Sequence, residues 1–382
     1  MKWFRARDLL LIPGILIGLL ILWSHFYPYF VEHFMKPPPS GEVRGPGILS
    51  LLQRPMAAYY ELSTDEPVIA IIGQGESAIA TAVSPDGRFI ATGHGLDSKI
   101  RISDVSKKRV VEVIALWSGG IEELAYSPDG RYLVSGRGFM AQAHNSNSID
   151  IWDAQTGALV CQIAGPAPPL CTENDVKGLT FSPDGRHLAV GYSSGMKSSA
   201  SIRIYEFPNG TLSSLMQQSD VVAGGLAIIP EKGLLVYGGY GQQFHIHVLK
   251  TGKRIRQIFT NASGTTAATR DGRYLVSGTS DLELVVRDLE TAKPVMTLTG
   301  PAKHFRRLAI SPDGRYVATD NDDGFRLWDL QEGEILRELK AHPSRIISWV
   351  GFDPAGRFLV AGGGHWVTVW DFRKLIEQNS TK

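Results

Sequence analysis

Few side chains in this sequence are spaced for chemistry. Cys161 and Cys171 close the stretch Cys-Gln-Ile-Ala-Gly-Pro-Ala-Pro-Pro-Leu-Cys. In an oxidising compartment they would join as a disulfide that pins this loop; the alternative is two unlinked thiols, because spacing alone does not set a Cα separation. Gly191-Tyr192-Ser193-Ser194-Gly195 has the Gly-x-Ser-x-Gly spacing of a hydrolase nucleophile elbow. That motif works at a strand-to-helix turn, whereas this copy falls in a Ser-rich stretch between two expected strands. Asp320-Asn321-Asp322-Asp323-Gly324 begins like a calcium loop, but Gly324 stands where a ligand is needed and no bidentate Glu follows at the right offset. A polar hairpin turn accounts for it. His245 and His247 fall on one strand face with no third ligand in the pattern. No catalytic residue, cofactor or metal is assigned on these grounds.

The elements that would carry any site are set by a repeated unit. In Ser311 to Leu330, Pro312 presets φ for a tight turn, and Asp313 and Gly314 tolerate the left-handed geometry that follows. Tyr316 to Thr319 and Phe325 to Trp328 are short β-prone runs. Two such strands cannot bury their apolar faces alone, so they need neighbours. The chain supplies them: the turn recurs at Ser84–Arg88, Ser127–Arg131, Ser182–Arg186, Thr269–Arg273, Ser311–Arg315 and Asp353–Arg357, with a degenerate copy at Ile229–Gly233. Each copy is followed by a closing pair: Ser103-Asp104, Trp152-Asp153, Tyr205-Glu206, Val248-Leu249, Arg287-Asp288, Trp328-Asp329 and Trp370-Asp371. The turn glycines Gly272, Gly314 and Gly356 are 42 residues apart.

A period of about 40–45 residues with Trp-Asp closing the third strand marks a WD-repeat blade. Over roughly residues 66 to 372 the chain resembles the WD-repeat β-propeller family. The resemblance implies an all-β, seven-bladed propeller and a protein-binding scaffold. The family's Gly-His dipeptide is mostly missing, with Lys303-His304 and Ala341-His342 near its expected places. A propeller enzyme or small-ligand protein, lactonase-like or quinoprotein-like, is the alternative; it needs acids, histidines or a metal converging in the central channel. The pattern shows no such set.

The formal charge of +1 gives no general pull towards nucleic acid. The N-terminus differs from the rest. Lys2, Arg5 and Arg7 precede an uncharged stretch, Leu9 to Phe30, long enough to cross a bilayer that needs about 20 residues. Trp3, Trp23, Tyr27 and Tyr29 stand where interfacial aromatics would. The expected organisation is a cytoplasmic N-terminus (1–8), a transmembrane anchor (9–30), a linker (31–65) and the propeller (66–382). A cleaved signal segment is the alternative to an anchor. The basic flank predicts a single-pass protein with the propeller outside and the lipid bilayer as one partner; the turn-rich repeat style resembles that of bacterial chains, which implies that outside is the periplasm.

Two features concern the ring itself. Residues 67–72 form a strand with no blade before it, and no fourth strand follows Trp370-Asp371, so 67–72 is expected to supply the outer strand of the last blade. Blades two and three carry extra residues at 136–148, 165–175 and 192–200, on loops that should share one face. Phe139, Met140, His144, Leu170 and Met196 in these loops are the candidate contacts for a protein partner. The alternative is that they fold back onto the blades.

Overall fold

The computed structural model describes residues 67–377, apart from 75–77, 95–97, 117–119, 139–147, 165–174, 195–196, 219–224, 230, 239–242, 301–304, 306, 322–323 and 341–347. The chain divides into two units, Met1–Ala58 and Tyr59–Lys382, and every described residue belongs to the second.

Seven four-stranded antiparallel sheets make up this unit. Blade one runs Ala78–Val83, Phe89–His94, Lys99–Asp104 and Arg109–Ala115 from its inner strand to its outer one. Blade two (Ile121–Ile163), blade three (Asp175–Gln218), blade four (Gly225–Phe259), blade five (Ala262–Leu298) and blade six (Leu308–Lys340) follow the same order. Blade seven takes three strands, Trp349–Phe352, Phe358–Gly363 and Trp366–Asp371, and Val68–Gly73 pairs antiparallel with the last of them as its fourth. A short helix, Phe372–Glu377, follows.

Each sheet alternates side chains to its two faces, and each face buries them against the next blade. Seven apolar clusters result, one per interface. Ala82, Ile102, Leu124 and Trp152 lie between blades one and two, for instance, and Val276, Leu284, Val317 and Trp328 between five and six. Between seven and one the cluster joins Ala70 and Ile72 to Ile90, Val105, Val360 and Val369. The ring therefore has a core at every interface, including the one where its two ends meet.

The repeated turn is built by its own side chains. Ser84 Oγ donates to Asp86 Oδ1 (2.6 Å) and accepts from Phe89 N (2.8 Å), while Arg88 N donates to Asp86 Oδ1 (3.0 Å). Gly87 sits at φ 69°, a left-handed conformation open to glycine. Ser127 with Asp129, Ser182 with Asp184 and Thr269 with Asp271 repeat the arrangement. The sequence pattern suggests that each turn arginine neutralises its own turn aspartate. Instead, Arg88 and Arg315 reach the aspartate ending the third strand, Asp104 at 3.3 Å and Asp329 at 2.8 Å. One oxygen of the turn aspartate, Oδ1, already takes the backbone and hydroxyl donors. Arg357 does pair within its turn, with Asp353 at 2.8 Å, because Asp353 replaces the serine.

Blade four differs from its expected register. Gly252 N donates to Val248 O, as Gly157 N does to Asp153 O, so His247-Val248 stands in the place of Trp-Asp, one residue before the expected pair. The degenerate turn at Ile229–Gly233 offers no Ser or Asp from which to count.

One expectation is corrected here. A single-pass membrane location, with the N-terminus in the cytoplasm and the propeller outside, is overturned: no helix among the described residues is long and apolar enough to cross a membrane. Spanning needs about 20 apolar residues in one helix, and the helix described here, Phe372–Glu377, has 6. The stretch Leu9 to Phe30 lies outside the described residues.

Candidate functional site

Antiparallel order sends the Ser-Pro-Asp-Gly-Arg turns to one end of the blades. It sends the connections between second and third strands, and between blades, to the other. The described residues bounding the three insertions, Gly138 and Ser148, Ala164 and Asp175, Ser194 and Lys197, all lie at that second end, in adjacent blades. Phe139, Met140, His144, Leu170 and Met196 themselves lie outside the described residues, as does Cys171. Cys161 is a half-buried thiol on the outer strand of blade two.

Near the described ends of these insertions are buried and partly buried charged groups that the sequence pattern did not reveal. Arg137, the last residue of blade two's second strand, pairs with Asp150 across the sheet at 2.6 Å, the side chains being 8% and 0% exposed. Gln162 Nε2 donates to the other oxygen of Asp150 (2.7 Å). Burial of both ions is tolerable because each is hydrogen-bonded. One blade on, Lys177 bridges two acids, Asp175 at 3.1 Å within its own strand and Glu122 of blade two at 3.3 Å. Burial works against the charge of Lys177, but Glu122 and Asp175 outweigh it, and the lysine is held above its ordinary range. The second oxygen of Asp175, Oδ1, is buried and has no hydrogen-bond partner. An unsatisfied buried acceptor of this kind costs about 1–3 kcal/mol.

Glu123, beside Glu122 on the inner strand, is partly buried. Burial pushes its carboxyl up to about 7; Arg307 of blade six opposes the shift, Glu122 adds to it and Lys177 opposes it. Arg307 N donates to Asp320 Oδ1 (3.0 Å), which fixes the residue that leads into the strand Leu308–Ile310. A carboxyl so placed gains or loses its proton near neutral pH. Among the described residues no three His, Cys, Asp or Glu side chains are grouped to hold a metal ion.

The other sequence candidates resolve into structure. Ser193 lies on the strand His187–Ser194, opposite Asp175 and Ala200, and not at a strand-to-helix turn. Asp320 lies in the strand Tyr316–Asn321, hairpin partner of Gly324–Asp329. His245 and His247 stack with Tyr237 at 5.2 Å each. His247 Nε2 meets the Tyr237 hydroxyl at 3.1 Å and its Nδ1 meets Gly252 O at 2.9 Å. Burial, then Arg254 and His247, brings His245 down to about 4.

This His247–Tyr237 bond has counterparts. At the position before the third-strand aspartate, Trp152 Nε1 donates to Ser135 Oγ and Trp328 Nε1 to Thr319 Oγ1, both at 3.0 Å, and Arg287 donates to Ser277 Oγ at 3.3 Å. Four blades thus tie the third strand to the second through one side-chain bond made by three residue types.

The fold and its repeats define the class: the chain is a WD-repeat β-propeller. The family described as WD domain, G-beta repeat matches residues 66–104, 169–206, 292–329 and 333–371, each segment ending at the close of a third strand. The chain is similar to an uncharacterised WD repeat-containing protein of Synechocystis, with 30% identity over 27% of this chain and 30% of that protein. It is 28% identical to autophagy-related protein 16 of Arabidopsis thaliana, over 55% of this chain and 41% of that protein. It is 36% identical to small ribosomal subunit protein RACK1y of Oryza sativa, over 28% of this chain and 31% of that protein. The chain therefore spans less than half the length of these relatives.

Proposed function

We propose that this propeller is a protein-interaction scaffold and that its partner seats on the insertion-bearing end of blades two and three, through Phe139, Met140, His144, Leu170 and Met196. The observation that carries the reading is the common placement of the insertions. Their described ends lie at one end of adjacent blades, above the Glu122–Lys177–Asp175 network with its unsatisfied Asp175 oxygen. Long loops on a rigid repeat scaffold are where binding residues concentrate. The names of two relatives, an autophagy-related protein and a small ribosomal subunit protein, fit a fold used within larger assemblies.

Phe139→Ser with Met140→Ser in the full chain tests this. Crosslinked partner should fall about tenfold, as for the loss of one or two interface anchors. The thermal midpoint should move by no more than about 2 °C, because the strands Tyr132–Arg137 and Ile149–Asp153 keep their sequence. Glu332→Ser, an exposed change in a turn at the opposite end, should leave capture intact. Unfolding of the loop variant would make these residues core. Unchanged capture would place the partner elsewhere.

A further inference from the structure

On the turn-bearing end, each interface between blades is closed by the residue that follows the third strand. Its position is fixed by one backbone bond, to the carbonyl of the turn's last residue: Ala154 N to Arg131 O, Phe207 N to Arg186 O, Leu330 N to Arg315 O and Phe372 N to Arg357 O. Between blades two and three Phe207 meets Tyr132 and Phe181 edge-on, at 5.3 and 4.8 Å between ring centroids. Between six and seven Phe372 does the same with Tyr316 and Phe352, at 5.4 and 4.9 Å. Between five and six Leu330 packs in the cluster that holds Tyr274 and Ile310.

Between blades one and two the two flanking rings are present, as Phe89 and Tyr126, but the closing residue is Ala154. The groove volumes follow the size of the closing side chain: 400 Å³ at Phe207, 450 Å³ at Leu330 and 640 Å³ at Ala154. The slot is therefore one ring short of the equivalents closed by Phe207 and Phe372.

Its rim is acidic. Asp86, Glu112 and Asp129 line it, with Arg88 as the lining cation. Arg88 is engaged by Asp104 at 3.3 Å, and Arg357, which donates to the Asp86 carbonyl, is engaged by Asp353 at 2.8 Å. Burial, with Asp86 and Glu112 nearby, holds the Tyr126 phenol above its ordinary range, so it stays neutral. Two aromatic faces with a missing third, under carboxylates, suit an aromatic side chain flanked by cations.

We propose that the slot between Phe89 and Tyr126 binds a partner segment that inserts one aromatic side chain in the place left by Ala154, with basic residues on either side meeting Asp86, Glu112 and Asp129. The site is at the opposite end of the blades from the insertions and does not depend on the partner proposed there.

The test uses the peptide acetyl-Lys-(5-fluorotryptophan)-Lys-amide and fluorine NMR with the full chain. Saturable broadening is expected. Ala154→Phe, which supplies the missing ring in cis, should weaken binding at least about tenfold, a loss of about 1.4 kcal/mol. The same peptide with Glu for both Lys should bind at least about tenfold more weakly, since like charges would meet at the rim. If Ala154→Phe does not fold by circular dichroism, Ala154→Leu, which carries the side chain of Leu330, replaces it, with an expected loss of about threefold. Absence of saturable broadening, undiminished binding to the folded filled variant, or equal binding of the Glu peptide would overturn the proposal. So would self-association of the protein abolished by Ala154→Phe, because the occupant would then be a second copy. None of these outcomes bears on capture by the Phe139 and Met140 loop, so the two readings fail separately.

Discussion

Glu123 is a carboxyl that burial raises to about 7. Its folded value, about 7, lies above the ordinary 4.5, so the folded state holds a proton that the unfolded chain releases between these two values. Its contribution to stability is complete below about pH 4.5, declines as pH rises and is gone above about 7. Glu123→Gln cannot ionise. It should leave stability near pH 4.5 almost unchanged and raise it at pH 8 by about 1–3 kcal/mol, the shift being discounted because the side chain is only partly buried. Urea unfolding at both values measures this; equal effects at the two would mean that Glu123 does not titrate as described. His245 works in the opposite sense. Its value, about 4, lies below the ordinary 6.5, so its contribution is present above 6.5 and is lost as pH falls towards 4. His247 is lowered by burial too, so the slope seen between pH 4.5 and 6.5 in Glu123→Gln should come from both histidines, with stability rising as pH rises.

At the scale of strands and turns, the difference between buried and exposed ion pairs can be checked within one molecule. Arg137 and Asp150 are both shielded, so Arg137→Ala leaves a carboxylate buried without its counter-ion and should cost about 3–5 kcal/mol. Arg88 is 55% exposed, and Arg88→Ala should cost less than about 1 kcal/mol, because Ser106 and backbone donors still hold Asp104. Similar costs for the two in denaturant unfolding would contradict the network. The turn chemistry of Ser84–Arg88 and its copies was legible in the sequence because it is local: each side chain bonds a backbone group within five residues. The same holds for the position of the strands around it. The pairings of Arg137 with Asp150 and of Glu122 with Lys177 were not legible, since the partners are 13 and 55 residues apart and depend on strand register. The slot at Ala154 was hidden for a further reason. An alanine after Trp152-Asp153 is unremarkable until Phe207 and Phe372 are seen to occupy its place. The candidate contacts Phe139, Met140, His144, Leu170 and Met196 came from loop length alone, which says where function can sit but not which atoms meet.

At the scale of the whole molecule, the ring is held by its first strand. Val68–Gly73 pairs with Trp366–Asp371, with Asp371 N donating to Pro67 O at 2.9 Å and Gln74 N to His365 O at 2.7 Å. The strand covers more than an edge. Ala70 and Ile72 are buried in the cluster with Val360, Val367 and Val369 of blade seven and Ile90 and Val105 of blade one. Burying an isoleucine of this kind stabilises by about 1.5–3 kcal/mol, and the hydrogen bonds close a sheet edge that would otherwise offer a template to another chain. Removing residues 1–60 should therefore leave the thermal midpoint of the propeller within about 2 °C of the full chain, and the propeller in the same oligomeric state. Removing residues 1–75 takes away the strand, its two buried side chains and their backbone bonds. The midpoint should fall by about 10 °C or more, and light scattering should show association that grows with concentration as the edge of Trp366–Asp371 pairs with other copies. Adding a peptide of sequence Pro67 to Gln74 should restore part of the loss, because the vacated place is a strand-shaped groove with its donors and acceptors already in register. If the shorter protein melts at the same temperature and stays monomeric, blade seven is stable with three strands, and the ring is held by its other blade interfaces without the first strand.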